Sequence, residues 1–565
     1  MSRLTAPTQA DPGLALIDGG DDNVVEPGLG SESPVGATVT VATWTTVSRV
    51  TGLVRIVAIG AVLGPTYLGN TFQAINQMPN LTYQALTGSL LAMILVPRLV
   101  PHVDSEKPGD LARVAGGFLA LAIAGFSLLA LVALAGGPIL LRLLTLGVHN
   151  PAVAGAQRRA GWILLVTVMP QVVLYAVAGT GEAVMNVHGR FALAAAAPAL
   201  ENLGVIAVMV IDAAVFGTGA TVASIQTPQL LLLGLGSTAA VVLHASAQWW
   251  GAHRVGVNLV PRFGWPAGEL RQLMRDLLPS AGYTGLNSAR YFGMLVVANL
   301  VPGGVIAFQL GLNFLAFPVA LGAWPVSVAL LPDLSRMYLA EAKRRFREQL
   351  IAGSGITFFL VIPAAVAYLV LAHPIARAVA YGAMGSHQGV ALVEAALAAL
   401  AVAMVGEAGS VVGTHAAYAC GQATWAFRSM LLRTLVSAAG MALALVFVHG
   451  VAVIVALGAA VSAGNVLGSL YLARRLDIDL GPGERRLTPP ALRAVAASVV
   501  MVVPAYLLAS YLPRLVTVPA VHLMSLLVAC TVGLVAYLGV QRALGSDELA
   551  ALRKGVTHML LRAKA

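Results

Sequence analysis

The segment SRVTGLVR, Ser48 to Arg55, sets two guanidinium groups, Arg49 and Arg55, into otherwise apolar sequence. Inside a bilayer each costs roughly 3 kcal/mol or more unless it faces water or a partner. The planar fork of arginine suits bidentate recognition of carboxylates and phosphates, better than lysine does. Two such groups within an apolar stretch therefore suit an anion-binding cavity inside a membrane. Six residues separate them, about 9 Å along a helix and about 120° around it, so they do not point along one line. A third, Arg290, lies in NSARYFG (Asn287 to Gly293) of a later apolar stretch.

Carboxylates also fall in or near apolar stretches: Glu201, Asp212, Glu394 and Glu407. Intramembrane carboxylates serve secondary transporters as proton or sodium sites. Glu407, among the small residues of MVGEAGS (Met404 to Ser410), is the first candidate for ion coupling, and pairing with Arg433 is its structural alternative. Glu201 is the second candidate, with an arginine such as Arg49 as its alternative partner. Asp212 reads as interfacial. His244 and His415 read as core histidines rather than proton relays. The pattern includes no metal-ligand spacing.

These residues need long apolar helices to position them. The chain has 565 residues, 58% hydrophobic and only 10% charged, outside the range of soluble globular domains. About fourteen stretches match the hydrocarbon thickness: 38–65, 69–97, 114–140, 160–186, 191–215, 227–252, 277–301, 304–332, 351–373, 388–419, 427–449, 451–472, 492–511 and 519–541. The expectation is an all-α polytopic membrane protein. With the N-terminus inside, 25 of the 34 lysines and arginines fall on the cytoplasmic side, five on the opposite side and four within spans. This is the positive-inside pattern, which places both termini in the cytoplasm. The net charge of +10 is thus topological, and a nucleic-acid partner is not expected. Cys420 and Cys530 read as small hydrophobes, with no disulfide framework.

An internal repeat shows at an offset of 235 residues: ILVPRL (Ile94 to Leu99) against ALLPDL (Ala329 to Leu334), and Arg55 against Arg290. A unit of six spans, an even number, implies two parallel lobes related by a pseudo-twofold along the membrane normal, with two further helices at the C-terminus. The expected organisation is a disordered tail (1–37), an N-terminal lobe (38–254), a cytoplasmic linker (255–276) and a C-terminal lobe (277–474). A cytoplasmic loop (475–491), spans 13 and 14 (492–541) and a basic cytoplasmic tail (542–565) complete it. Glu269–Leu278 and Asp333–Leu350 show amphipathic spacing expected of interfacial helices. Pro279, Pro318, Pro325 and Pro332 are expected to kink or break their helices.

SRVTGLVRIVAIGAVLG, QMPNL (Gln77 to Leu81), ILVPRL, MNVHGRFALAAAAPALEN (Met185 to Asn202), Phe317-Pro318 followed by LLPDLS, and HPIARAVAYGA (His373 to Ala383) together resemble the MurJ (MviN) family of lipid II flippases. That family belongs to the multidrug/oligosaccharidyl-lipid/polysaccharide exporter superfamily. The resemblance spans about residues 40–480. It implies export of a polyprenyl-diphosphate-linked sugar-peptide, whose headgroup crosses a cationic central cavity while its tail rides a groove. Arg49 and Arg55 match two family arginines. Elsewhere the chain departs from the pattern: Ile56 stands where many members carry an acid, Asn70 for an Asp, Tyr83-Gln84 for Arg-Arg, Gly88 for a Glu, and Leu312-Asn313 for Asp-Arg. Asn70, Tyr83, Gln84 and Asn313 thus join Arg49, Arg55 and Arg290 as candidate substrate contacts. The aromatic and amide groups at 83 and 84 would suit a glycan.

The expected function is an alternating-access flippase for lipid II or a similar wall precursor, moving it from the inner to the outer leaflet of a bacterial cytoplasmic membrane. The alternatives are another lipid-linked glycan, or a membrane scaffold that recruits wall-synthesis enzymes through basic cytoplasmic loops. No phosphate-binding loop or nucleophile motif occurs in the sequence. Neither catalysis nor a cofactor is expected, and coupling to H+, Na+ or membrane potential stays open.

Overall fold

The computed structural model describes residues 34–90, 108–262, 267–481, 487–515 and 521–553, with side chains placed over 43–81, 111–262, 282–481, 487–515 and 521–553. The tail over 1–33, the ILVPRL segment, the side chains of Tyr83, Gln84 and 267–281, and the basic tail from 554 lie outside the described residues. The helices in chain order are α1 (Pro34–Leu63), α2 (Tyr67–Leu90), α3 (Pro108–Ala135), α4 (Gly137–Leu144), α5 (Pro151–Val168), α6 (Gln171–Val187), α7 (Phe191–Phe216) and α8 (Thr227–Arg254). The second half holds α9 (Ala267–Ala298), α10 (Gly304–Leu339), α11 (Lys343–Val370), α12 (Ala372–Val379), α13 (His387–Ala419), α14 (Ala423–Phe447) and α15 (Ala452–Leu480). Then come α16 (Thr488–Leu515) and α17 (Val521–Ala543). In hydrocarbon a helix satisfies every backbone group internally, which is why so apolar a chain takes this form.

Among the described residues twelve spans are long and apolar enough to cross a membrane, α5 and α6 counting as one. Helices α2 and α9, of 24 and 32 residues, are long enough but more polar, and with them the count is fourteen. The reason is visible on α2, where Asn70, Thr71 and Gln73 are fully buried against protein. The polarity faces other helices rather than lipid.

The repeat runs through the helix boundaries. Residues 63 and 298 end α1 and α9, α3 and α11 span 108–135 and 343–370, and the eight-residue α4 and α12 span 137–144 and 372–379, all offset by 235. Packing follows the same rule: α1 lies on α7 as α9 lies on α14, and α6 lies on α8 as α13 lies on α15. Between lobes α1 meets α10 and α2 meets α9, the exchange a twofold requires. Helices α16 and α17 pair with each other, α16 also packing on α11 and α17 on α12.

Two expectations need correction. Glu269–Leu278 is no separate interfacial helix, because α9 runs unbroken from Ala267 through this segment. Asp333–Leu350 divides between the end of α10 and the start of α11, with a turn at Glu341 (φ 54°). Pro318, Pro325 and Pro332 all lie inside α10, which stays helical across 36 residues.

Among the described residues the lobes seal at the end away from the start of α1. There the Asn70 amide donates to the Val301 carbonyl at 2.8 Å and accepts from the Val305 N–H at 3.0 Å. Gln157 donates to Asn299 at 3.1 Å, and Asn299 donates to the Leu144 carbonyl at 2.9 Å. Gly303 turns with φ 83°, so close to Pro65 that a Cβ would lie 2.4 Å from the proline Cα. The His149 and His449 rings, one from each lobe, stand 6.0 Å apart.

Candidate functional site

Toward the other end the lobes part around a cavity of about 800 Å³, a volume typical of ligand sites. Its walls come from α1, α2 and α6–α8 in one lobe and from α9, α10 and α13–α15 in the other. The four arginines within spans, Arg49, Arg55, Arg290 and Arg433, all line it, as do Glu182, Glu201 and Glu407. Four guanidinium groups against three carboxylates make it far less cationic than the resemblance implies.

In the N-terminal lobe Arg55, on α1, donates to Glu201 and to Asn202, both at 3.2 Å. Tyr175 on α6 donates to the same carboxylate at 3.1 Å, and His244 on α8 meets its other oxygen at 3.0 Å. Asn202 in turn donates to the Ser48 carbonyl and the Thr51 hydroxyl, tying α7 to α1. Arg55 and Glu201 are nearly buried, at 10% and 12% side-chain exposure. Such a pair holds because each charge is matched and further hydrogen-bonded. The partner of Glu201 is therefore Arg55 and not Arg49, whose side chain is exposed at the cavity wall.

The C-terminal lobe is built differently. Arg290 on α9 donates to the Asn465 side-chain oxygen at 3.0 Å, and Arg433 on α14 donates to the same oxygen at 3.2 and 3.0 Å. Glu407 on α13 accepts from Arg433 and, at 2.9 Å, from the Asn465 amide. Space for Arg433 comes from Gly468, where a Cβ would sit 2.4 Å from the arginine Cγ. Two guanidinium nitrogens each 3.0 Å from one oxygen are at most 6.0 Å apart. At an effective dielectric of about 20 their repulsion is about 3 kcal/mol. Glu407 is the one carboxylate that offsets it within this cluster.

Of the candidates read from sequence, Arg49, Arg55, Arg290, Asn313, Glu201 and Glu407 line the cavity. Asn313 donates to the Gln309 carbonyl one turn earlier at 2.8 Å. Asn70 does not line it. Fully buried in the seal between lobes, both ends of its amide are occupied, which corrects its reading as a substrate contact. Asp212, near the end of α7, is fully buried against protein and accepts from Gln229 at 3.2 Å. His244, read as a core residue, is buried and hydrogen-bonded to Glu201. Tyr175 and Asn465 were not singled out, since uncharged polar residues in apolar spans are common and their low cost gives no signal.

The family model described as lipid II flippase MurJ matches residues 59–526. A probable lipid II flippase MurJ of Haemophilus influenzae is 23% identical over 353 residues, which take in 58% of this chain and 65% of that protein. A probable lipid II flippase MurJ of Bdellovibrio bacteriovorus is 26% identical over 535 residues, covering 91% of this chain and 95% of the relative. Among solved structures, one described as lipid II flippase MurJ in an inward closed conformation covers 90% of this chain and 99% of its own at 16% identity, with a TM-score of 0.67. That likeness speaks for the fold.

Proposed function

The chain belongs to the MurJ family of lipid II flippases, and we propose that it moves lipid II, or a closely similar polyprenyl-diphosphate-linked wall precursor, across the bacterial cytoplasmic membrane. One observation carries this reading. Guanidinium groups from both lobes converge on a single cavity whose far end is sealed by contacts between the lobes. A diphosphate leaving water needs such charge-assisted donors, and a cavity shut at one end between two repeats is the form alternating access requires. With the basic loops and both termini in the cytoplasm, the sealed end faces the outer leaflet, and the cavity lies on the side from which the cargo loads.

In this reading Arg55 and Arg290 approach the diphosphate from opposite lobes, with Arg49 nearer the cytoplasmic mouth and Asn313 as an uncharged contact. Glu201 holds Arg55 in place. The test is complementation: the resident flippase of a bacterium is depleted, this chain is expressed, and lipid II accessible at the outer leaflet is measured. Restored accessibility that Arg55→Ala abolishes at normal expression supports the reading. Correct insertion without restored accessibility refutes lipid II as the cargo.

A further inference from the structure

We propose that the C-terminal lobe's share of the diphosphate site is made by Arg290, Arg433 and Asn465, and that Glu407 occupies the anion's place there while the cavity is empty. This rests on the diphosphate cargo proposed above and deepens it.

The repeat supplies the first argument. Arg55 and Arg290 are equivalent at an offset of 235, while Tyr175 and Glu407, and Glu201 and Arg433, are equivalent at 232 on the matching helices α6 and α13, and α7 and α14. The N-terminal cluster answers one arginine with one carboxylate. At the position of that carboxylate the C-terminal lobe has a second arginine, and its carboxylate comes from a different helix. Two cations thus share one anion, and the cluster keeps an excess positive charge.

The second argument is the count of donors. A side-chain amide oxygen offers two lone pairs, yet the Asn465 oxygen receives three N–H groups from two arginines. Arg290, only 7% exposed, has a buried Nε with no partner among the described residues. Donors are in surplus and acceptors are short. A diphosphate reverses that balance, bringing at least two negative charges and several acceptor oxygens in the geometry that arginine forks match.

The third argument is which group can leave. Arg433 is held at 6% side-chain exposure, whereas Glu407 is 26% exposed on the cavity side. A carboxylate at the mouth of a cationic cluster is displaced by a more highly charged anion of the same donor preference. Displaced, it turns into the water of the cavity.

The test uses the full chain purified into nanodiscs. Binding of farnesyl diphosphate and of inorganic pyrophosphate is measured by equilibrium filtration for the wild type, Glu407→Gln, the charge-balanced double variant Glu407→Gln/Arg433→Gln, and Arg55→Ala. Removing the competing carboxylate is expected to tighten farnesyl diphosphate binding about tenfold, and the double variant to lose about tenfold relative to Glu407→Gln. Tightening for both probes assigns recognition to the diphosphate alone. Tightening for farnesyl diphosphate only assigns it to the lipid-linked form. Unchanged or weaker binding by Glu407→Gln overturns the proposal, as does a double variant that binds as well as Glu407→Gln. If Arg55→Ala abolishes binding while the double variant keeps wild-type affinity, the diphosphate cargo stands and the C-terminal share of the site falls. If the wild type binds neither probe, both fall.

Discussion

Asn70→Ala tests whether the seal between the lobes is a moving part. The asparagine is fully buried and spans the lobes with two hydrogen bonds, to the Val301 carbonyl and from the Val305 N–H. Alanine leaves both backbone groups without that partner in the sealed state, at about 1–2 kcal/mol each. Once the seal parts, water satisfies them, so the loss of roughly 2–4 kcal/mol falls on the sealed state alone. That corresponds to a shift of roughly 30- to 1000-fold in the ratio of sealed to parted molecules. The assay is pulsed electron paramagnetic resonance on spin labels at His149→Cys and His449→Cys, whose rings face each other across the seal at 6.0 Å, in a background lacking Cys420 and Cys530. Wild-type Asn70 should give one short distance, and Asn70→Ala a substantial longer component. A single short distance in a well-folded Asn70→Ala protein would refute the reasoning.

Three further outcomes follow from the same geometry. A Cβ on Gly60 would lie 3.5 Å from the Met384 Cβ in the other lobe, within disulfide range. Gly60→Cys/Met384→Cys should therefore oxidise readily, stop transport in proportion to the cross-linked fraction, and recover with reductant; undiminished transport when cross-linked would exclude opening at this end. Gly303→Ala puts a Cβ on a residue at φ 83° and against Pro65, so the melting temperature in detergent should fall measurably from a cost of about 2 kcal/mol or more. Glu201→Gln removes the charge that answers Arg55 and one of the two acceptor oxygens shared by Arg55, Tyr175 and His244 at 12% exposure, whereas Glu407 is 26% exposed with fewer donors. Thermal stability should fall by about 2–3 kcal/mol for the first and by clearly less for Glu407→Gln, and equal losses would contradict the distinction drawn between them.

The long apolar helices and their repeat were legible because hydrocarbon imposes helix and length together, and because 235-residue spacing survives in short matches such as Arg55 and Arg290. That spacing extends to α4 and α12, which no sequence match announced, since an eight-residue amphipathic helix leaves little pattern to recognise. Charged cavity residues were legible for one physical reason: a charge among apolar neighbours has no inexpensive alternative. The partners were not. Whether Glu201 meets Arg49 or Arg55 depends on how α1 is rotated against α7, and the rotation is set by contacts such as Asn202 with Ser48 and Thr51. Asn70 misled because substitution of a family acid by an amide reads as a weakened ligand, whereas an amide both donates and accepts, which is what a seal between backbone groups needs.

The altered charges of this cavity make sense when the lobes are considered separately. Against the family pattern the chain lacks an arginine pair at Tyr83-Gln84 and an Asp-Arg at Leu312-Asn313, yet it holds Arg290 and Arg433 on α9 and α14. Positive charge is thus present on α9 and α14, which pack against each other and against α15 within the second lobe, α9 also meeting α2 of the first, and not on α2 and α10. A cation on α2 or α10 stands where the lobes meet and must be desolvated each time they close. A cation braced between α9, α14 and α15 keeps Asn465 whichever end is open, and Glu407 until an anion displaces it, because these contacts lie within one lobe. The cluster therefore costs nearly the same in every state, and only the anion that enters it changes.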